Sequence, residues 1–145
     1  MRQDISPALT NAAALFGRVA LAIVFLPAGL MKIADYAGTA GYMASAGMPM
    51  IGILLPLAIL VEVGGGLMLL AGFGTRLAAL ALAGFTVIAT PIFHAWWGLQ
   101  GMEQVIQQTM FFKNIGLVGG LAVLFAFGAG EWALDGRRAV RVATA

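Results

Sequence analysis

Four apolar runs dominate the chain, at about residues 12–33, 50–72, 76–97 and 109–130. An α-helix rises ~1.5 Å per residue, so about 20 apolar residues cross a hydrocarbon core roughly 30 Å thick. Each run is long enough to span. Of the 145 residues 61% are hydrophobic and only 10% charged, where a soluble domain carries about 25% charged residues. The reading is a single domain over residues 1–145: an all-α, integral membrane four-helix bundle. The stretch from Ala12 to Ile33 exceeds the apolar region of a cleavable signal and carries Arg18 inside it, so it is read as the first span.

The links between the runs set the topology. Only FGTR separates the second and third runs, which forces a tight antiparallel hairpin. The longer link DYAGTAGYMASAGMP places Ala37, Ala40, Ala44 and Gly47 on one helical face, and a short interfacial helix is expected there. The polar segment GLQGMEQVIQQ is expected to run straight into the fourth helix. Four spans put both termini on one side. That side and the FGTR hairpin hold Arg2, Arg18, Arg76, Arg137, Arg138 and Arg141, against Lys32 and Lys113 opposite. The positive-inside rule then predicts cytoplasmic termini. Tyr36, Tyr42, Trp96 and Trp97 gather at the outer interface and Trp132 at the inner one, which accounts for the tryptophans as an aromatic belt without any ligand. Pro27, Pro56 and Pro91 fall inside spans, and Gly64–Gly66 and the Gly116…Gly120 spacing are expected to let helices approach closely.

Several chemistries are excluded. Without cysteine there is no thiol exchange, thiolate-bound metal or disulfide, and the single histidine, His94, cannot supply two haem ligands. Neither haem nor metal is expected. The net charge of +2 is explained by the tail GRRAVR at an anionic leaflet, so no nucleic-acid partner is expected.

Ionisable residues inside a membrane are functional candidates, because an unpaired charge in hydrocarbon costs several kcal/mol. They form two layers here. In the inner one, Arg18 and Glu62 lie roughly 9 and 16 Å from the cytoplasmic ends of their helices, within an arginine's reach of each other. An intramembrane Arg18–Glu62 ion pair is expected, either fixing bundle register or handling protons and polar head groups. In the outer layer, Lys32, His94 and Lys113 fall about 26–30 Å from those ends on three different helices. Asn114 follows Lys113, Asp35 is one turn from Lys32, and Trp96 and Trp97 stand at the rim. Lysines, an imidazole and aromatic faces at one depth suit an anionic or carbonyl-bearing ligand. Lys32, His94, Trp96, Trp97, Lys113 and Asn114 are therefore the ligand-binding candidates. The competing structural reading has both lysines snorkelling to lipid phosphates. One imidazole between two cations is a poor metal site.

These residues carry a family resemblance. The segment GRVALAIVFLPAGLMKIADY, with its early arginine and with Gly29, Lys32 and Asp35 at its far end, resembles the opening of the DoxX family. The Glu62 span with its glycine cluster and GFGTRLAAL, then FHAWWG, FFKNIGLVGG and GAGEWALDGRR, resemble the later blocks in order and spacing. Gly128-Ala129-Gly130 stands where the family usually has G-P-G, a departure that concerns a helix end rather than chemistry. The resemblance implies a bacterial inner-membrane four-helix protein, of a family that includes a subunit associated with thiosulfate:quinone oxidoreductase and members linked to membrane redox systems.

The functional expectation is a subunit or accessory of a membrane redox system, at most an oxidoreductase subunit, with a quinone- or small-anion-binding pocket at the outer side. Electrons would come from a redox partner protein. The alternatives are a non-catalytic membrane anchor or assembly partner, and a small transporter, which a bundle this narrow could form only as a homo-oligomer.

Overall fold

The computed structural model describes residues 5–136, so Arg2, Arg137, Arg138 and Arg141 of the charge count lie outside it. Every regular element among the described residues is helical: α1 (Pro7–Ala34), α2 (Tyr36–Ser45), α3 (Ile51–Ile59), a π-helical turn (Leu60–Gly64), α4 (Gly65–Ala71), α5 (Thr75–Phe93) and α6 (Gly101–Phe127). The α3–π–α4 run is one continuous apolar helix, Ile51–Ala71, which with α1, α5 and α6 makes four membrane-spanning helices.

Local chemistry places the helix ends. Ser6 accepts from Leu9 N–H at 3.3 Å, and Pro7 takes the first helical position, where no N–H is needed, so α1 starts ahead of its apolar run. Helix α6 starts at Gly101 rather than near 109, because GMEQVIQQ is helical yet polar. Helix α5 ends at Phe93 and not at Trp97; His94 is its C-cap, its N–H bonded to Thr90 O at 2.9 Å.

The two ends of the bundle differ. At the end carrying the α4–α5 hairpin, Ala22, Phe25, Leu69, Ala78, Ala79, Leu82, Leu121 and Leu124 form a packed core. Small residues allow close approach where lipid supplies no hydrophobic drive between helices. A Cβ added at Gly65 would meet Leu82 Cγ at 2.8 Å, and one at Gly66 would meet Leu26 Cβ at 3.0 Å. The Gly116…Gly120 spacing does not seat a helix in this way: Gly116 has nothing within 4 Å, and Gly120 has ordinary contact with Leu21 at 3.7 Å.

The hairpin end is also clasped by polar bonds. Gly72 (φ +64) closes α4 with the Phe73 N–H to Met68 O and Gly72 N–H to Leu69 O pair of a Schellman turn. The segment after α6 folds across this turn. There Asp135 accepts from Gly74 N–H and Thr75 N–H, both at 2.9 Å, capping α5, and Asn11 exchanges bonds of 2.9 Å with Glu131.

At the opposite end α2 lies over the spans. It buries Met43 rather than the alanine face anticipated from its spacing, and Gly47 falls beyond the helix at φ +72. The Tyr42 ring stacks on Phe93 at 5.4 Å and so ties α2 to the end of α5.

Candidate functional site

Between the packed hairpin end and α2 the helices separate around a cavity of about 770 Å³. Its wall is mostly apolar, with Val24, Phe25, Leu54, Leu57, Phe85 and Ile88 among its residues. Lys32, His94, Lys113 and Asn114, four of the six ligand candidates, line it together with Asp35 and Glu62. Trp96 and Trp97 do not line it. They pack beside it on α6, Trp96 against Phe112 at 6.4 Å and Trp97 against Phe111 at 6.0 Å.

The expected Arg18–Glu62 pair does not form. Glu62, 4% exposed, is instead held by Lys32, whose Nζ lies 2.8 Å from Oε2 and donates to Oε1 at 3.0 Å. Arg18 turns the other way, into the hairpin clasp, donating to the carbonyls of Leu69 (3.1 Å), Leu70 (3.3 Å) and Trp132 (2.7 Å). Arg18 thus runs opposite to the direction expected of it, and Lys32 turns inward rather than snorkelling to lipid phosphates. Arginine reaches the end of α4 because the last helical carbonyls keep accepting capacity that intrahelical N–H groups do not fill. Lysine bends back along its own helix, Nζ also lying 3.4 Å from Ala28 O, because a buried carboxylate waits one turn below it.

Gly29 sets that level. A Cβ there would sit 3.0 Å from Glu62 Cβ and 2.7 Å from Val63 Cγ2, so only glycine lets the π turn seat against α1. The π turn is the feature that the sequence reading missed. Such wide turns inside helices recur at functional sites, and the glycines that end it and follow it, Gly64–Gly66, hold the helix only weakly.

Three more polar contacts organise the cavity wall. Asn114 Nδ2 donates to Thr90 Oγ1 at 3.0 Å, and the Thr90 hydroxyl donates to Thr86 O at 2.6 Å. One amide proton and the amide oxygen of Asn114 are left for other partners. His94 Nδ1 meets Gln107 Oε1 at 2.8 Å. With that oxygen accepting, Nδ1 is the donor, and a neutral ring then has its lone pair on Nε2. Gln107 and Thr90 were not candidates, although α5 and α6 form an antiparallel pair whose register brings both within reach. Lys113 Nζ is exposed and donates to Met110 Sδ at 3.2 Å. Among the described residues no group of three or more His, Asp or Glu could hold a metal ion.

Four spans around a part-polar cavity define an all-helical, multi-pass membrane protein. The chain belongs to the DoxX family, whose profile matches residues 13–95. It is similar to "Inner membrane protein YqjF" of Escherichia coli (strain K12), 40% identical over 127 residues, covering 88% of this chain and 92% of that protein. It is also similar to "Inner membrane protein YphA" of the same organism, 31% identical over 123 residues, covering 85% of this chain and 88% of that protein. No solved structure matches. The four spans and these relatives make it a multi-pass inner-membrane protein residing in the lipid bilayer.

Proposed function

We propose that this protein binds a quinone in the cavity beneath α2 and serves a membrane redox system, with electrons supplied by a partner protein. One observation carries the reading: an apolar cavity of about 770 Å³, the size of a small-molecule site, has the Lys32–Glu62 pair, Asn114 and His94 in its wall. Lys32 and Asn114 offer donors to a carbonyl oxygen. Glu62 and His94 Nε2 offer acceptors to a hydroxyl of the reduced form and are the residues through which protons would pass.

Charge separates the quinone from the small anion. Lys32 and Lys113 are matched in the lining by Asp35 and Glu62. A neutral ligand fits that balance; a free anion would need a net positive wall. The chain has no cysteine and a single histidine, so it brings no thiol or bis-histidine haem of its own to carry electrons. The six arginines counted in the sequence on the side of the termini, against Lys32 and Lys113, favour cytoplasmic termini and a cavity toward the outer side. Single cysteines placed at Gly74 and at Gly98 of this cysteine-free chain test that orientation, the second alone reacting with an impermeant thiol reagent in intact cells.

The direct test is native mass spectrometry of the protein extracted with its lipids, beside His94→Ala and Asn114→Ala variants. A co-purified quinone that is lost in both variants supports the reading. A retained protein partner with no small molecule in any sample overturns it in favour of the anchor role.

A further inference from the structure

The cavity has two sides with unlike chemistry. Lys32, Lys113 and Asn114 stand on the α1–α6 side. On the other side α3 and α5 contribute a mostly apolar lining, Leu54, Leu57, Ala58, Phe85, Ile88 and Ile92, with Thr86 and the α5 cap His94 as its polar members. These two helices do not pack closely on each other. Helix α5 holds to the π turn and α4, while α3 holds to α1, α2 and the π turn. Leu57 is 50% exposed and Ile88 65% exposed although both line the cavity, as does Met31 on α1 at 71%; α1 packs on α6, whereas α3 and α5 leave a gap between Leu57 and Ile88. Both lie within spans, so the outside at that level is lipid. Tyr42 on Phe93 closes the gap above, and Glu62 lies below.

Resting on the quinone reading, we infer that the ligand is a lipid-tailed quinone resident in the bilayer, and that its tail leaves the cavity between α3 and α5. The head enters first and meets Lys32, Glu62 and Asn114. The tail lies across Leu57 and Ile88 and continues into the acyl chains, so little of it needs room inside. An apolar mouth at bilayer depth gives a tail-bearing ligand direct entry from lipid and gives a water-soluble quinone no such path. Residues of a mouth act on the tail, which separates their role from that of the polar residues acting on the head.

The test uses the full chain in nanodiscs and two probes with one dimethoxy-methyl-benzoquinone head, one without a tail and one with a long isoprenoid tail. Bound quinone per protein is read by native mass spectrometry against its mole fraction in the disc. Leu57→Trp and Ile88→Trp narrow the mouth from lipid-facing positions, and Leu57→Ala widens it. The expected result is at least a tenfold fall in the tailed-to-tailless affinity ratio in each tryptophan variant, with no fall in Leu57→Ala. An unchanged ratio in both tryptophan variants, their helical content intact by circular dichroism, overturns the tail path. Absence of saturable binding of either probe to the unmodified protein removes the quinone reading itself, a different result from the first.

Discussion

Replacing Gly29 by alanine should destabilise the bundle, although alanine is the better helix former. A Cβ at Gly29 would lie 2.7 Å from Val63 Cγ2, 3.0 Å from Glu62 Cβ and 3.1 Å from Val63 N. Relaxing the first contact to an ordinary 3.4 Å needs a shift of about 0.7 Å, which costs about 1–3 kcal/mol in a well-packed interior. Val63 cannot absorb it by rotating, because a β-branched side chain in a helix has one strongly preferred χ1 and its backbone nitrogen is crowded as well. Helix propensity returns about 1 kcal/mol, leaving a net loss of roughly 0–2 kcal/mol. Gly84 and Gly116 provide the contrast, since an added Cβ at either meets nothing within 4 Å. Alanine there should gain up to about 1 kcal/mol. Unfolding in mixed detergent micelles, followed by far-UV circular dichroism, measures all three variants. If Gly29→Ala proves as stable as Gly84→Ala, the close seating of the π turn against α1 is refuted.

The same assay checks three further expectations. Arg18→Met strips donors from three carbonyls around a side chain only 1% exposed and should cost about 3 kcal/mol or more, with Arg18→Lys recovering part of it because one ammonium cannot serve all three. Asp135→Ala removes the cap on Gly74 N–H and Thr75 N–H and should cost about 1–2 kcal/mol; Asp135→Asn keeps one acceptor oxygen and should lose less. Met50 holds a left-handed φ of 51° before α3, so Met50→Gly should stabilise by up to about 1 kcal/mol and leave binding to the cavity intact. A destabilised Met50→Gly would mean that the methionine side chain matters more than its backbone strain.

How far the fold and the candidate site could be read from sequence depends on what hydropathy and spacing report. Run length finds each span, because the bilayer fixes how much apolar helix is needed. It misplaces ends where helix and membrane part company, as in the polar first turns of α6 and at His94, which caps α5 although the apolar pattern continues through Trp97. Counting residues gives depth, and depth alone brought Lys32, His94, Lys113 and Asn114 to the cavity. Depth says nothing of the direction a long side chain takes, so Glu62 was assigned to Arg18 when its partner is Lys32. Nor does any simple pattern mark a π turn. The clearest available signs were the glycines on both sides of the contact: Gly29 on α1, and Gly64–Gly66 after Glu62.

The two arginine- and lysine-centred clusters therefore have different physical consequences. Arg18 donates to three backbone carbonyls from a buried position and ties α1 to α4 and to the segment after α6, so the hairpin end depends on it for stability. The Lys32–Glu62 pair stands apart from the packed core, lines a cavity, and leaves the Lys32 side chain 26% exposed. A buried ion pair is weak evidence of stabilisation, and replacing both partners by apolar residues of similar size is often neutral. Lys32→Met combined with Glu62→Leu should accordingly shift unfolding by less than about 1 kcal/mol while abolishing retention of the quinone. Either single replacement should be worse for stability than the pair, because it leaves one charge without its partner. If the double variant unfolded as readily as Arg18→Met, the pair would belong to the scaffold, and the cavity would lose its strongest claim to a function in ligand binding.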